Sequence, residues 1–178
     1  YSILNHLQAP SSHEGAEPYL VPLKSKVQEW EERLTPLRGP RIGISWAGNP
    51  GNRNDAIRSI PLQAMAPILK SAQGAIVSLQ VGTASQQLQS LEGAPPILDL
   101  SGELHDLDET AAVIQHLDLV ISVDSTVAHL AGGMGKPIWL LRSAGADRRW
   151  DLAVHPRHWY PGLVVYSTEG PGDWRDVI

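Results

Sequence analysis

The residues best placed to do chemistry are Asp124, Ser125, Thr126 and His129, in the run Asp124-Ser125-Thr126-Val127-Ala128-His129. A carboxylate, two hydroxyls and an imidazole follow directly on an apolar, β-branched stretch, Leu119-Val120-Ile121-Ser122-Val123, of the length expected for a buried parallel strand. Asp124, Ser125 and Thr126 are N-cap residue types, and Val127, Leu130, Ala131 and Met134 follow at helical spacing, so a helix is expected to open here. A helix that starts where a strand ends turns unpaired N–H groups and the positive end of its dipole toward the crevice above the sheet. That is an anion site, to which the Ser125 and Thr126 hydroxyls add donors. His129, one turn further on, either offers a donor to a ligand oxygen or is packed as an ordinary helix histidine. Arg58 follows a long turn-rich loop; it either reaches over this helix to a phosphate or pairs with nearby Asp55.

Other chemistries fit less well. Ser125 lacks the flanking glycines of a nucleophile elbow, and triad partners normally come from separate elements. His155 and His158 are separated by Pro156, which breaks any helix that would align them on a metal. Gly48-Asn49-Pro50-Gly51 is not the dinucleotide fingerprint G-x-G-x-x-G.

Positioning these groups requires a strand-helix-strand unit, in which Gly132 and Gly133 let the helix pack closely on the sheet and Gly135 with Pro137 ends it before a strand at 138–141. Upstream, a short amphipathic helix is expected at 24–34 and a first strand at 41–46. Ser59 with Pro61 predicts an N-cap and early helical position for a helix running to about Lys70. Strands are expected at 75–79 and 97–100, with helices at 85–91 and 110–117. Asp106, Asp108 and Glu109 stand where acidic side chains complement a helix dipole. A last strand is expected at 163–166, and Asp173-Trp174-Arg175 reads as the start of a helix. Short apolar strands alternating with helices predict an α/β fold: a doubly wound, Rossmann-like parallel sheet with helices on both faces. Residues 1–22, a mixed stretch with Pro10, Ser11, Ser12, Gly15, Pro18 and Pro22 and no sustained periodicity, read as a linker or the exit from a preceding lobe, and 23–178 as the folded domain.

Bulk properties narrow the partners. The 178 residues carry a net charge of -5, with 42% hydrophobic and 19% charged residues, enough for one buried domain. That charge argues against nucleic acid, so any anion must be held locally. The absence of cysteine fits the cytoplasm, and no apolar run approaches the roughly 20 residues that span a bilayer. Starting at Tyr1 and ending on what reads as a nascent helix, the chain is expected to be part of a longer protein.

Several motifs in order carry a family resemblance. Arg41-Ile42-Gly43-Ile44-Ser45-Trp46-Ala47-Gly48-Asn49-Pro50, Arg58-Ser59-Ile60-Pro61-Leu62, Ser78-Leu79-Gln80, residues 118–136, and Trp159-Tyr160-Pro161 with Pro171-Gly172-Asp173-Trp174 resemble the bacterial glycosyltransferases often fused to tetratricopeptide repeats. That group is similar to the lipopolysaccharide heptosyltransferases of glycosyltransferase family 9. The resemblance runs from Pro18 onward. It implies the C-terminal lobe of a GT-B fold, binding a nucleotide-diphosphate sugar for transfer to an acceptor hydroxyl, with an N-terminal lobe and tetratricopeptide repeats as partners in the same protein. The family's Asp-Thr-Gly-x-x-His turn, which contacts the donor, carries over onto Asp124, Ser125, Thr126 and His129, with Ser125 in place of Thr and Thr126 in place of Gly. Arg58 stands near the family's phosphate-binding lysine. Gln80, Asp108 and Thr110 fall where base and ribose are gripped. The resemblance implies no metal and no cofactor beyond the donor. It places the general base in the other lobe, so none is assigned here. A non-catalytic nucleotide-binding or interaction module, and a GT-B-like sugar-nucleotide epimerase, are the alternatives.

Overall fold

The computed structural model describes residues 17–144, 150, 159–175 and 177. Six strands, β1 (Arg41–Ser45), β2 (Ala75–Ser78), β3 (Ile97–Asp99), β4 (Leu119–Val123), β5 (Ile138–Arg142) and β6 (Leu163–Ser167), form one sheet in the order β3-β2-β1-β4-β5-β6. Every pairing is parallel, with Ile44 opposite Ile121 and Ser45 opposite Ser122 at the centre. This is the doubly wound order, in which the chain winds outward in both directions from β1 and β4.

A sheet of this kind is buried on both faces, and its strands alternate between two cores. On one face Val77, Val120, Ile138 and Leu140 pack against α1 (Lys24–Leu34), α4 (Leu107–Gln115) and α5 (Thr126–Gly133), through Trp30, Leu34, Ala112, Ile114 and Ala131. On the other, Ile44, Ile76, Ile121, Val123 and Leu141 meet Leu62, Met65, Leu69 and Trp174. Those residues come from a 3-10 turn (Leu62–Met65), from α3 (Ala66–Ser71) and from the C-terminal segment. A four-residue helix, α2 (Asp55–Arg58), and a 3-10 stretch (Thr83–Ser90) complete the described elements. No helix among the described residues is long and apolar enough to cross a membrane.

Several local expectations are corrected. Ser59 caps no helix. It follows α2, accepts from the Gly48 N–H at 3.0 Å and donates to Asp55 Oδ1 at 3.1 Å, while Gln87 Oε1 takes the Leu62 N–H at 2.8 Å. The stretch at 83–90 is a 3-10 helix. Helix α4 begins at Leu107, before Thr110, because Asp106 is its N-cap and accepts from the Glu109 N–H at 2.8 Å. Asp173 and Arg175 close a turn through paired carboxylate–guanidinium bonds of 2.9 and 2.7 Å, and Trp174 anchors that turn in the core, where a helix had been expected.

Helix α5 ends as the glycines predict. Gly135, at φ 71°, donates to Gly132 O, and the Lys136 N–H reaches Ala131 O, a Schellman closure. The close approaches at Gly132 and Gly133, however, come from Tyr160 and Leu20, not from a strand. A Cβ on Gly132 would stand 2.3 Å from the Tyr160 ring, and one on Gly133 would stand 2.6 Å from Leu20. The Tyr19 and Leu20 N–H groups both donate to Gly133 O at 2.9 Å, so residues 17–22 lie against the C-terminal end of α5.

Candidate active site

The strand order reverses between β1 and β4, and the loops leaving their carboxyl ends diverge to opposite sides of the sheet, opening a crevice. The β4 side of that crevice is the Asp124 turn. Asp124 is buried at 8% exposure directly after the strand, with its Oδ1 3.9 Å from His129 Nε2. Ser125 takes the N-cap position in an extended conformation, yet its hydroxyl does not cap the helix; it shares a 3.0 Å hydrogen bond with Ser122 Oγ. Among the described residues no side chain is seen to cap the first turn of α5, and Thr126 opens the helix exposed. His129 projects from the next turn. Its Nδ1 lies 2.8 Å from the Tyr160 hydroxyl, and its ring stacks on Trp150 at 4.6 Å and 21°.

The β1 side is built differently. Gln80, buried just beyond β2, sends its Oε1 across to accept from the Trp46 N–H at 3.1 Å and the Ala47 N–H at 2.9 Å, and its Nε2 donates to Val81 O. The amide thus completes the end of β1. Arg58 is paired with Asp55 at 3.1 Å, both side chains being less than one-fifth exposed, which is the ion-pair alternative foreseen for it. Its guanidinium lies across Gly48, where a Cβ would stand 2.3 Å from Nη2. A larger residue there would push the Arg58–Asp55 pair aside.

Farther along the same edge, α4 carries the remaining candidates. Asp108 is exposed in the first turn, while Thr110 is buried and returns its hydroxyl to Asp106 O at 2.9 Å. Between them Glu109 receives Lys26 Nζ and Trp30 Nε1 from α1. These hydrogen bonds, the Lys26 one foremost, hold the Glu109 carboxyl below its ordinary range and hold Lys26 above its own.

The carboxyl edge also carries unsatisfied donors. The Trp46 indole N–H, just after β1, and Arg142 Nε, in the last residue of β5, are buried without a hydrogen-bond partner, as is the indole N–H of Trp150. His155 and His158 lie outside the described residues. Among the described residues no cluster of three or more His, Asp or Glu could hold a metal ion.

The structure therefore brings Asp124, Ser125, Thr126 and His129 together, with Arg58 and Gln80 across the crevice and Asp108 and Thr110 two strands away. It adds Tyr160 and Trp150, neither of which local spacing singles out, and pairs Asp55 with Arg58. Gly132 is the one local signal, since an extra glycine inside a helix marks a close approach from elsewhere.

Comparison with known proteins bears on the same region. The model of glycosyltransferase family 9 (heptosyltransferase) matches residues 68–141, which hold β2 to β5 and the Asp124 turn. Protein FlbA of Caulobacter vibrioides (strain ATCC 19089 / CIP 103742 / CB 15) is 29% identical over 168 residues, covering 90% of this chain and 27% of FlbA. Three solved structures share the fold at 16–17% identity. The family 9 glycosyl transferase from Veillonella parvula DSM 2008 has a TM-score of 0.60 over 94% of this chain and 47% of its own. The E. coli ADP-heptose lps heptosyltransferase II gives 0.57 over 85% and 45%, and the E. coli heptosyltransferase WaaC with ADP gives 0.55 over 82% and 42%. The chain thus spans about a quarter of the curated relative and less than half of each solved neighbour. Residues 68–141 are thus similar to glycosyltransferase family 9 (heptosyltransferase), and the solved neighbours share the fold of the chain.

Proposed function

We propose that the chain is the donor-binding lobe of a glycosyltransferase, holding a nucleotide-diphosphate sugar in the crevice between β1 and β4 for transfer to an acceptor hydroxyl. One observation carries the reading: the first turn of α5, whose N-cap Ser125 makes no side-chain cap bond, stands where the strand order reverses and within the segment that the family 9 model matches. The neighbour solved with ADP supports a nucleoside diphosphate as the ligand class.

Each group then has a role that its chemistry permits. Diphosphate oxygens accept from the α5 N–H groups, from the Ser125 and Thr126 hydroxyls and from His129. Asp124, an acceptor only, suits a ribose or sugar hydroxyl and the His129 N–H. Arg58 adds charge to the leaving diphosphate by turning from Asp55, and Gln80 fixes the β1 side of the base and ribose pocket. Asp108 is open to a ribose hydroxyl, whereas Thr110 reaches one only by giving up its helix bond. As the sugar bond breaks, negative charge grows on the diphosphate, and preorganised donors stabilise it there. No metal is needed for that step.

This reading makes 23–178 the C-terminal lobe and 1–22 its link to an N-terminal lobe. The acceptor site, the general base and the tetratricopeptide repeats belong to the rest of a longer cytoplasmic protein. A thermal-shift panel of ADP, UDP, GDP and CDP tests it: at 100 times its dissociation constant a ligand adds about 2.7 kcal/mol of stability. A clear shift with one nucleotide is expected. No shift with any of the four, on this chain and on the full-length protein, removes the reading.

A further inference from the structure

The geometry points to Tyr160 as a positioning residue of the phosphate site, acting through His129; the inference rests on the donor-lobe reading above. The Tyr160 hydroxyl meets His129 Nδ1 at 2.8 Å, and the opposite ring nitrogen, Nε2, faces Asp124 Oδ1 at 3.9 Å. A neutral imidazole has one donor nitrogen and one acceptor. If Nδ1 held the proton, the bare lone pair of Nε2 would face a carboxylate, and two acceptors would oppose each other. With the Tyr160 O–H donating to Nδ1, Nε2 carries the proton, and its N–H is aimed at the Asp124 side of the crevice. That is the tautomer able to donate to a phosphate oxygen.

The rest of the cluster keeps this ring in place. Trp150 stacks on His129 from one side at 4.6 Å. Gly132, three residues along the same face of α5, leaves the hollow that the Tyr160 ring fills; a Cβ there would stand 2.3 Å from Tyr160 Cδ1. Tyr160 reaches this helix from 31 residues downstream, so the fold itself selects the tautomer.

Nitrogen-15 NMR of the histidine ring in the ligand-free chain, followed by ADP titration, tests the inference. The parent chain is expected to show His129 protonated at Nε2. Tyr160→Phe, which keeps the ring and removes the hydroxyl, should give a mixture of both tautomers and weaken ADP by about two- to tenfold. Gly132→Ala, which displaces the ring, should give the same mixture. In a His129→Ala background, Tyr160→Phe should leave ADP affinity unchanged. An Nδ1-protonated parent, a tautomer that neither variant moves, or an equal loss of ADP affinity without His129 each overturns the role of Tyr160. If no diphosphate binds the parent chain or the full-length protein, the donor-lobe reading falls, and the tautomer measurement decides the Tyr160–His129 coupling alone.

Discussion

Leaving β1, the chain is knit to its neighbours: Gln80 takes two of its N–H groups, Ser59 takes that of Gly48, and Asp55 holds both Ser59 and Arg58. Leaving β4, one strand away, it is not. Among the described residues Asp124 has its nearest partner at 3.9 Å, and the N-cap Ser125 turns back to Ser122 and leaves the first turn of α5 without its cap bond. The two loops flank the same crevice, and the contrast divides their work. A loop whose polar groups already serve one another gives shape and rigidity, whereas one with open hydrogen-bonding capacity gains most from a ligand. Arg58 belongs to the first kind, because it must leave Asp55 before it can help.

The largest effect should come from breaking the knit side. Gln80→Ala strands two N–H donors, that of Trp46 buried and that of Ala47 part-buried, a buried one being worth about 1–3 kcal/mol when unsatisfied. Urea unfolding should show about 2–4 kcal/mol lost, through a lower midpoint at unchanged slope. A loss below about 1 kcal/mol would mean that water serves those groups and that the contrast is overdrawn.

Asp124→Ala should behave in the opposite way. Its stability should stay within about 1 kcal/mol of the parent, while nucleoside-diphosphate affinity falls about tenfold. Arg58→Ala should cost only about threefold in affinity, because its guanidinium is already engaged by Asp55 and must leave that carboxylate before it can serve a phosphate. Calorimetric titration of both variants ranks them, and Arg58 outranking Asp124 would reverse the assignment of the two sides.

The smallest effect is a pH signature at Glu109, on the α4 turn along the same edge. Folding lowers its pKa, chiefly through Lys26 and then Trp30. The stabilisation it supplies is therefore present above the ordinary carboxylate range and drains away as pH falls through the lowered value. At pH 7 Glu109→Gln should be the less stable protein, and the gap should close below about pH 4. A gap of constant size down to pH 3 would show that charge has no part in holding α1 to α4.

How much of this was legible beforehand follows the range of each interaction. The strand at Leu119–Val123 and the helix at Lys24–Leu34 appear as expected, because apolar periodicity is a local signal with no competitor there. The doubly wound class follows from alternation of strands and helices. Caps were less legible. Ser59 and Ser125 are good N-cap types, but each found another partner, one in the loop after β1 and the other in the strand before it. The four residues of the Asp124 turn cluster because they are neighbours in sequence, so composition alone brought them together. The inward role of Gln80 and the contact of Tyr160 with His129 span 34 and 31 residues, and nothing in local spacing encodes either.

The strap at residues 17–22 bears on where this domain can be cut. Composition places the domain boundary at 23, yet Tyr19 and Leu20 both donate to Gly133 O, Leu20 fills the hollow over Gly133, and Pro18 fills the one over Gly135. An expression clone trimmed to residue 23 would uncover two glycine hollows and deprive a helix carbonyl of both donors. The severed end would be the one opposite the anion site, on the very helix that site depends on. For recombinant work, a clone that keeps Pro18, Tyr19 and Leu20 keeps those contacts.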